Sequence, residues 1–231
     1  MNQSRRALLL VGSPRCEKSN SEAIAAYLME QLRKRGIAWN RAYAYRLTCA
    51  AEGREKLLND VDAADILVLA SPLYIDSIPS FTIKAMELID EHRRSTKSPK
   101  QQKLFVIINN GFPEPAQNQT ALAIYRRFAL ESGIEWAGGA GVGWGAAIDG
   151  RPLDTMGGMV RNLKKGLELA AAALAGNTQV PNKAEELMSK PFMPLFLAKL
   201  MISVAGGVAW NSQARKNGVK KRMYDRPYET Y

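Results

Sequence analysis

Three short apolar runs constrain this chain more than any other feature: Ala7–Val11 (ALLLV), residues 65–70 (DILVLA) and Leu104–Ile108 (LFVII). Brief, near-continuous runs of Leu, Ile and Val bounded by turn residues are strands buried on both faces. Such strands need helices above and below them. The segments between supply these. Ser21–Arg35 sets Ile24, Leu28, Met29 and Leu32 on one face, with Gly36 as the stop. Ile83–Ile89 follows Pro79, Ala121–Leu130 runs toward Gly133, and Asp154–Leu174 is expected as one long helix with an Ala-rich end. Residues 38–45 (AWNRAYAY) alternate as a second strand, and Ile134–Val142 is a Gly-rich fifth. Strand and helix in this rhythm imply right-handed βαβ units. The expected fold is therefore α/β: a flavodoxin-like open parallel five-stranded sheet in the order 2-1-3-4-5, helices on both faces, and a C-terminal helical extension. Residues 1–177 are expected to form the main domain, and 178–231 a helical, basic extension packed on it.

Composition removes whole classes of function. With 46% hydrophobic and 23% charged residues among 231, the chain is globular in type. Two cysteines, Cys16 and Cys49, exclude a disulfide scaffold and any four-cysteine metal or iron–sulfur site. A single histidine, His92, argues against a Ser-His-Asp triad or a multi-histidine metal centre. The net charge of +10 resides in two runs: 93–103 and 215–226 each carry +5, and the remainder balances. No nucleic-acid motif accompanies them, so they are read as solvated basic segments and no nucleic-acid partner is expected. At the N-terminus the apolar stretch is too short for a secretory signal, and with two unpaired cysteines a cytoplasmic location is expected.

In an open parallel sheet, ligands bind beyond the carboxyl ends of the strands. Three loops leave strand ends there. The first, Gly12 to Ser21, carries Ser13, Arg15, Ser19, Asn20 and Ser21; Ser19-Asn20-Ser21-Glu22 has capping-box form and opens a helix. A helix N-terminus among hydroxyls and an arginine is a phosphate site. A cap alone would not call for so many polar groups. The loop is nearly a nucleotide triphosphatase P-loop, but Glu17 replaces its second glycine and would face the phosphates. The second loop sets Pro72, Leu73, Tyr74 and Ile75 before Pro79, a rigid apolar wall able to hold a flat ring. The third, Asn109-Asn110-Gly111-Phe112, joins turn chemistry to amides and an aromatic ring that could meet a heterocycle. A match to G-x-G-x-x-A at Gly141–Ala146 lacks a clear helix after it and is weak. Each loop also has a plain structural reading, as cap, packed loop or turn.

Gly12-Ser-Pro-Arg with Ser19-Asn-Ser after strand one, then Ser71-Pro-Leu-Tyr with a later Pro and Lys84, resembles the flavodoxin-like NAD(P)H-dependent FMN reductase and NAD(P)H:quinone oxidoreductase family, over roughly residues 5–175. The ending Gln213–Gly218 to Arg226-Pro-Tyr228 is similar to the tails of members of this length. The resemblance implies non-covalent FMN, with NADPH or NADH as electron donor and a small acceptor such as a quinone or free flavin. By position, Ser13, Arg15, Ser19, Asn20 and Ser21 would take the phosphate. Pro72 to Ile75 would line the ring, and Asn109 to Phe112 would meet its polar edge. It implies a homodimer, no catalytic acid or base, and no metal. A flavodoxin-type electron carrier without its own NAD(P)H reaction, or a cofactor-free interaction module, remains open on the residues alone.

Residues 192–210 (FMPLFLAKLMISVAGGVAW) are the most apolar stretch. Lys199, Pro194 and Gly206-Gly207 argue against a membrane span. A buried helix, a lid over the flavin or a dimer contact is expected, with membrane-surface attachment the lesser alternative.

Overall fold

The computed structural model describes residues 5–48, 50–97 and 99–226. Cys49 and Tyr228 lie outside the described residues. Five strands, β1 Arg6–Val11, β2 Ala38–Tyr43, β3 Ile66–Pro72, β4 Lys103–Asn109 and β5 Glu135–Val142, form one parallel sheet in the order β2-β1-β3-β4-β5. That is the expected flavodoxin-like order. The strand-order reversal beside β1 opens the crevice where ligands of such sheets sit.

Two apolar layers cover the sheet because its strands alternate sides. Leu9, Val11, Val68, Phe105 and Ile107 face α1 (Asn20–Arg33) and α6 (Arg161–Ala175). Leu8, Leu10, Leu67, Leu69, Val106 and Ile108 face α3 (Ala51–Ala63), α4 (Ser80–Ser95) and α5 (Gln119–Glu131). A single turn, α2 (Ala44–Leu47), links β2 toward α3. Helix α3 was not evident in the sequence because only Leu57 and Val61 of it are buried.

One expected helix is corrected. Residues 153–175 do not run as one α-helix; Leu153–Val160 form a 3-10 segment before α6 begins. The break falls at Gly157 (φ 57°, ψ −141°), a conformation that the Gly157-Gly158 pair permits and an L residue resists. Strand β5 lies at the sheet edge, and α7 (Asn182–Met188) helps close it. The Val180 amide donates to the Ala137 carbonyl at 2.9 Å, and the Gly139 amide to Glu185 Oε1 at 2.9 Å. Covering an edge in this way removes unpaired strand amides.

The chain forms two compact units, Met1–Phe192 and Met193–Tyr231. The second contains α8 (Leu195–Lys216) and a 3-10 turn at Lys220–Arg222. Phe196, Leu200, Val208 and Trp210 of α8 are exposed. Among the described residues, no helix is long and apolar enough to cross a membrane.

Candidate functional site

The first loop turns directly out of β1. Gly12 allows the turn because Thr82 and Ser71 crowd it: a Cβ there would lie 2.5 Å from Thr82 Oγ1. The Thr82 hydroxyl donates to the Gly12 carbonyl at 3.2 Å, tying α4 under the loop. Ser19 caps α1, its hydroxyl accepting the Glu22 amide at 3.2 Å. The amides of Asn20 and Ser21 then lie in the first turn of α1 with no acceptor among the described residues. Arg15 is exposed and takes no acidic partner among the described residues, while Glu17, two residues on, is paired with Arg46 at 2.8 Å. Beneath the loop Cys16 is buried, with a left-handed backbone (φ 48°). Burial pushes its thiol up despite the nearby Arg46 charge.

The third loop is bonded to both of the others. Ser21 Oγ donates to Asn109 Oδ1 at 2.6 Å, joining the start of α1 to the end of β4. The Leu73 amide donates to the Asn109 carbonyl at 2.8 Å, bringing in the end of β3. Asn110 is buried; its Nδ2 donates to the Glu114 carbonyl at 2.8 Å and to Gln117 Oε1 at 2.9 Å, while its Oδ1 has no partner. A buried carbonyl oxygen without a donor costs about 1–3 kcal/mol unless a ligand supplies one.

These loops line one cavity of about 330 Å³. Ser13, Arg15, Ser19, Asn20 and Ser21 form one part, Pro72, Leu73 and Tyr74 a second, and Asn109, Asn110 and Gly111 a third. Its volume falls within the usual range for a small-molecule site, about 300–1,000 Å³. Two expected residues do not line it. Ile75 is 98% exposed and Phe112 62% exposed. Ile75 and Asp76 both have positive φ (48° and 58°), with Tyr74 and Ser77 bonded across them at 2.8 and 3.1 Å. That is the geometry of a hairpin turn normally filled by Asn-Gly, and it carries Ile75 outward. Phe112 turns outward from its own exposed turn.

Two further residues that the sequence reading did not assign to the site line it, Ala146 and Asp149. They follow β5 on a turn fixed to the first loop by the Gly150 amide, which donates to Asn20 Oδ1 at 2.8 Å. The Asp149-Gly150 dipeptide was a readable turn signal, and both residues have positive φ (51° and 66°). Glycines of the weak G-x-G-x-x-A match serve packing: a Cβ on Gly145 would lie 2.7 Å from Asn109 Nδ2, and one on Gly143 would lie 2.5 Å from the Pro113 carbonyl oxygen.

Ser19 and Ser21 hydroxyls and Asn20 Oδ1 are thus engaged within the protein. Only Ser21 spends its hydroxyl proton there; Ser19 and Asn20 are engaged as acceptors, so the donors left for a phosphate are the two free amides of α1, the Ser13 and Ser19 hydroxyls, Asn20 Nδ2 and Arg15. No metal-ligand cluster occurs among the described residues. His92 pairs with Asp62 at 2.8 Å, and neither lines the cavity.

Residues 5–119 match the model of a family described as NADPH-dependent FMN reductase, a span that takes in β1 to β4 and their three loops. No curated protein matches. Among solved structures, similarity extends to an FMN-dependent NADH-azoreductase from Bacillus anthracis in complex with FMN, with 15% identity and a TM-score of 0.54 over 74% of this chain and 100% of that one. An NAD(P)H:quinone oxidoreductase from Methanothermobacter marburgensis has 15% identity and a TM-score of 0.52, over 75% and 96% of the two chains. A flavone reductase has 12% identity and a TM-score of 0.57, over 78% and 70%. At these identities the structures share the fold.

Proposed function

We propose, for a chain that belongs through residues 5–119 to the NADPH-dependent FMN reductase family, that the strand-end cavity holds its FMN and that the electrons pass to a small acceptor such as a quinone or free flavin. The observation that carries this reading is the convergence of three loops, well separated in sequence, on one cavity with free donors at one part and an apolar wall at another. Held there, FMN would supply the hydride-accepting and electron-transferring chemistry, with NADPH or NADH as donor.

The residues present fit such a group. The free Asn20 and Ser21 amides at the start of α1, with the Ser13 hydroxyl and the unpaired Arg15 guanidinium, suit a phosphate dianion. Pro72, Leu73 and Tyr74 offer a flat apolar wall held rigid by the bond from Leu73 to Asn109. Asn109, Asn110 and Gly111 supply polar groups at the third part of the cavity, where a heterocycle's polar edge would meet them. No side chain in the cavity need act as acid or base, since the chain's task there is to bind and orient. Tyr74, Ile75 and Phe112 are exposed, and this apolar surface supports a homodimer that would cover it. A cytoplasmic location belongs to the same reading.

A visible absorption spectrum, followed anaerobically by NADPH and then NADH, tests the proposal. A flavin band that bleaches, and then recovers on adding a quinone, is the expected result. A band that persists with both nucleotides would make the protein a carrier, and a colourless chain that cannot be reconstituted with FMN would overturn the site.

A further inference from the structure

The two basic runs of the chain meet different fates. In the first, Arg94 pairs with Asp90 at 2.8 Å, Lys100 with Asp65 at 2.9 Å and Lys103 with Glu135, while Arg93 is buried among carbonyl oxygens. Four of the five cations of that run are engaged by the fold, and Lys97 is exposed. In the second, Arg215, Lys216, Lys220 and Lys221 are exposed, and Asp225, the sole acid of residues 215–226, is engaged by Arg222 at 2.9 Å.

This cationic segment continues directly from α8. Between Leu195 and Ala214 the sequence carries one charge, Lys199. At 1.5 Å per residue the 22-residue helix is about 33 Å long. Phe196 (70% exposed), Leu200 (60%), Val208 (68%) and Trp210 (57%) meet solvent along it. Leu197, Leu200 and Val208 recur at three and eleven positions and so share a face. So much apolar surface marks an interaction site.

We infer that α8 and the basic segment after it form a docking surface for an anionic phospholipid bilayer. The exposed apolar side chains of α8 would meet the acyl boundary, with Lys220 and Lys221 among the phosphates. Charge selects this occupant: a second copy would bring another +5 run to the same contact, whereas an anionic bilayer neutralises it.

The test is co-sedimentation of the full chain with vesicles of phosphatidylcholine alone or mixed with phosphatidylglycerol. Binding at least about tenfold tighter to the mixed vesicles, reversed by high salt, is expected. Lys220→Gln with Lys221→Gln should weaken it about 30-fold, as two lost charges of about 1 kcal/mol each imply. Leu200→Ser with Val208→Ser should also weaken it, with the melting temperature unchanged because both side chains are exposed. A chain that stays in the supernatant, or pellets equally with both vesicles, overturns the inference. So does a dimer in light scattering that the Leu200 and Val208 substitutions dissolve while vesicles capture nothing; the occupant is then a second copy.

Discussion

The two ends of the parallel sheet are built on opposite plans. At the amino end nearly every charge of the strand starts is answered. Asp65 accepts the Arg6 amide at 2.8 Å and meets Lys100, Lys103 meets Glu135, and Arg5 donates to the Ala175 carbonyl at 3.0 Å. Buried Arg93 donates to the carbonyls of Ser132 at 2.7 Å and Gly133 at 3.2 Å and to Gln102 Oε1, and burial pulls its guanidinium below the usual arginine range. At the carboxyl end, by contrast, Arg15 stands unpaired among the described residues, Asn110 Oδ1 lacks a donor, and Cys16, Ile75, Asp76, Trp144 and Asp149 all adopt positive φ. One end is satisfied internally and holds the fold; the other is left wanting a ligand. Strain and unmet polar groups persist only where the surrounding structure imposes them, as at binding sites.

The sharpest way to break this contrast is at Arg93. Arg93→Ala strands several buried carbonyls and should lower stability by about 3 kcal/mol or more, leaving FMN affinity unchanged in equilibrium dialysis. A loss of FMN affinity at equal stability would show that the two ends are not independent. Arg15→Ala should do the reverse. It should weaken FMN retention about 10- to 100-fold, the range of one charge-assisted contact of about 1.5–3 kcal/mol, with no change in urea midpoint. Unchanged retention would remove Arg15 from the phosphate site.

Asp65 adds a pH test of the amino end. Although burial raises it, the Arg6 amide and Lys100 hold its carboxyl below the usual range. Its contribution is therefore present above the unfolded value of about 3.9 and is lost as pH falls through the depressed folded value. Asp65→Asn should cost about 1 kcal/mol at neutral pH in thermal unfolding, and the difference should close once the pH lies well below 3.9. The smallest effect belongs to Ile75→Gly. A left-handed β-branched residue costs about 1–2 kcal/mol, so the variant should gain about 0.5–1 kcal/mol after the added flexibility of glycine. No gain would mean that the turn is not strained.

How much of this was legible in sequence depended on burial. The β1, β3 and β4 runs announced themselves because both faces of each strand are covered, leaving no polar alternation to confuse them. Helix α3 did not, having only Leu57 and Val61 inside. Ser19 was readable as a cap because capping acts within three residues. The bond from Ser21 to Asn109 was not readable, since it spans 88 positions and exists only once β1 and β4 are placed in one sheet. Ile75 and Phe112 were expected against the ring because their type suits one; the backbone turned both outward.

By itself, then, the sequence determined the five strands, most of the helices between them and the three loops in which chemistry must sit. Those are consequences of local patterning and of the handedness of βαβ connections. Tertiary structure alone decided which polar groups remain free. Ser19, Asn20 and Ser21 look alike in the chain, but side-chain oxygens of all three are taken up by partners at Glu22, Gly150 and Asn109. Arg93 and Lys220 both begin as cations in a basic run, and one is buried among carbonyls while the other stays exposed. A residue's type states what it can bond, and only its neighbours in space state what is left for a ligand to bond.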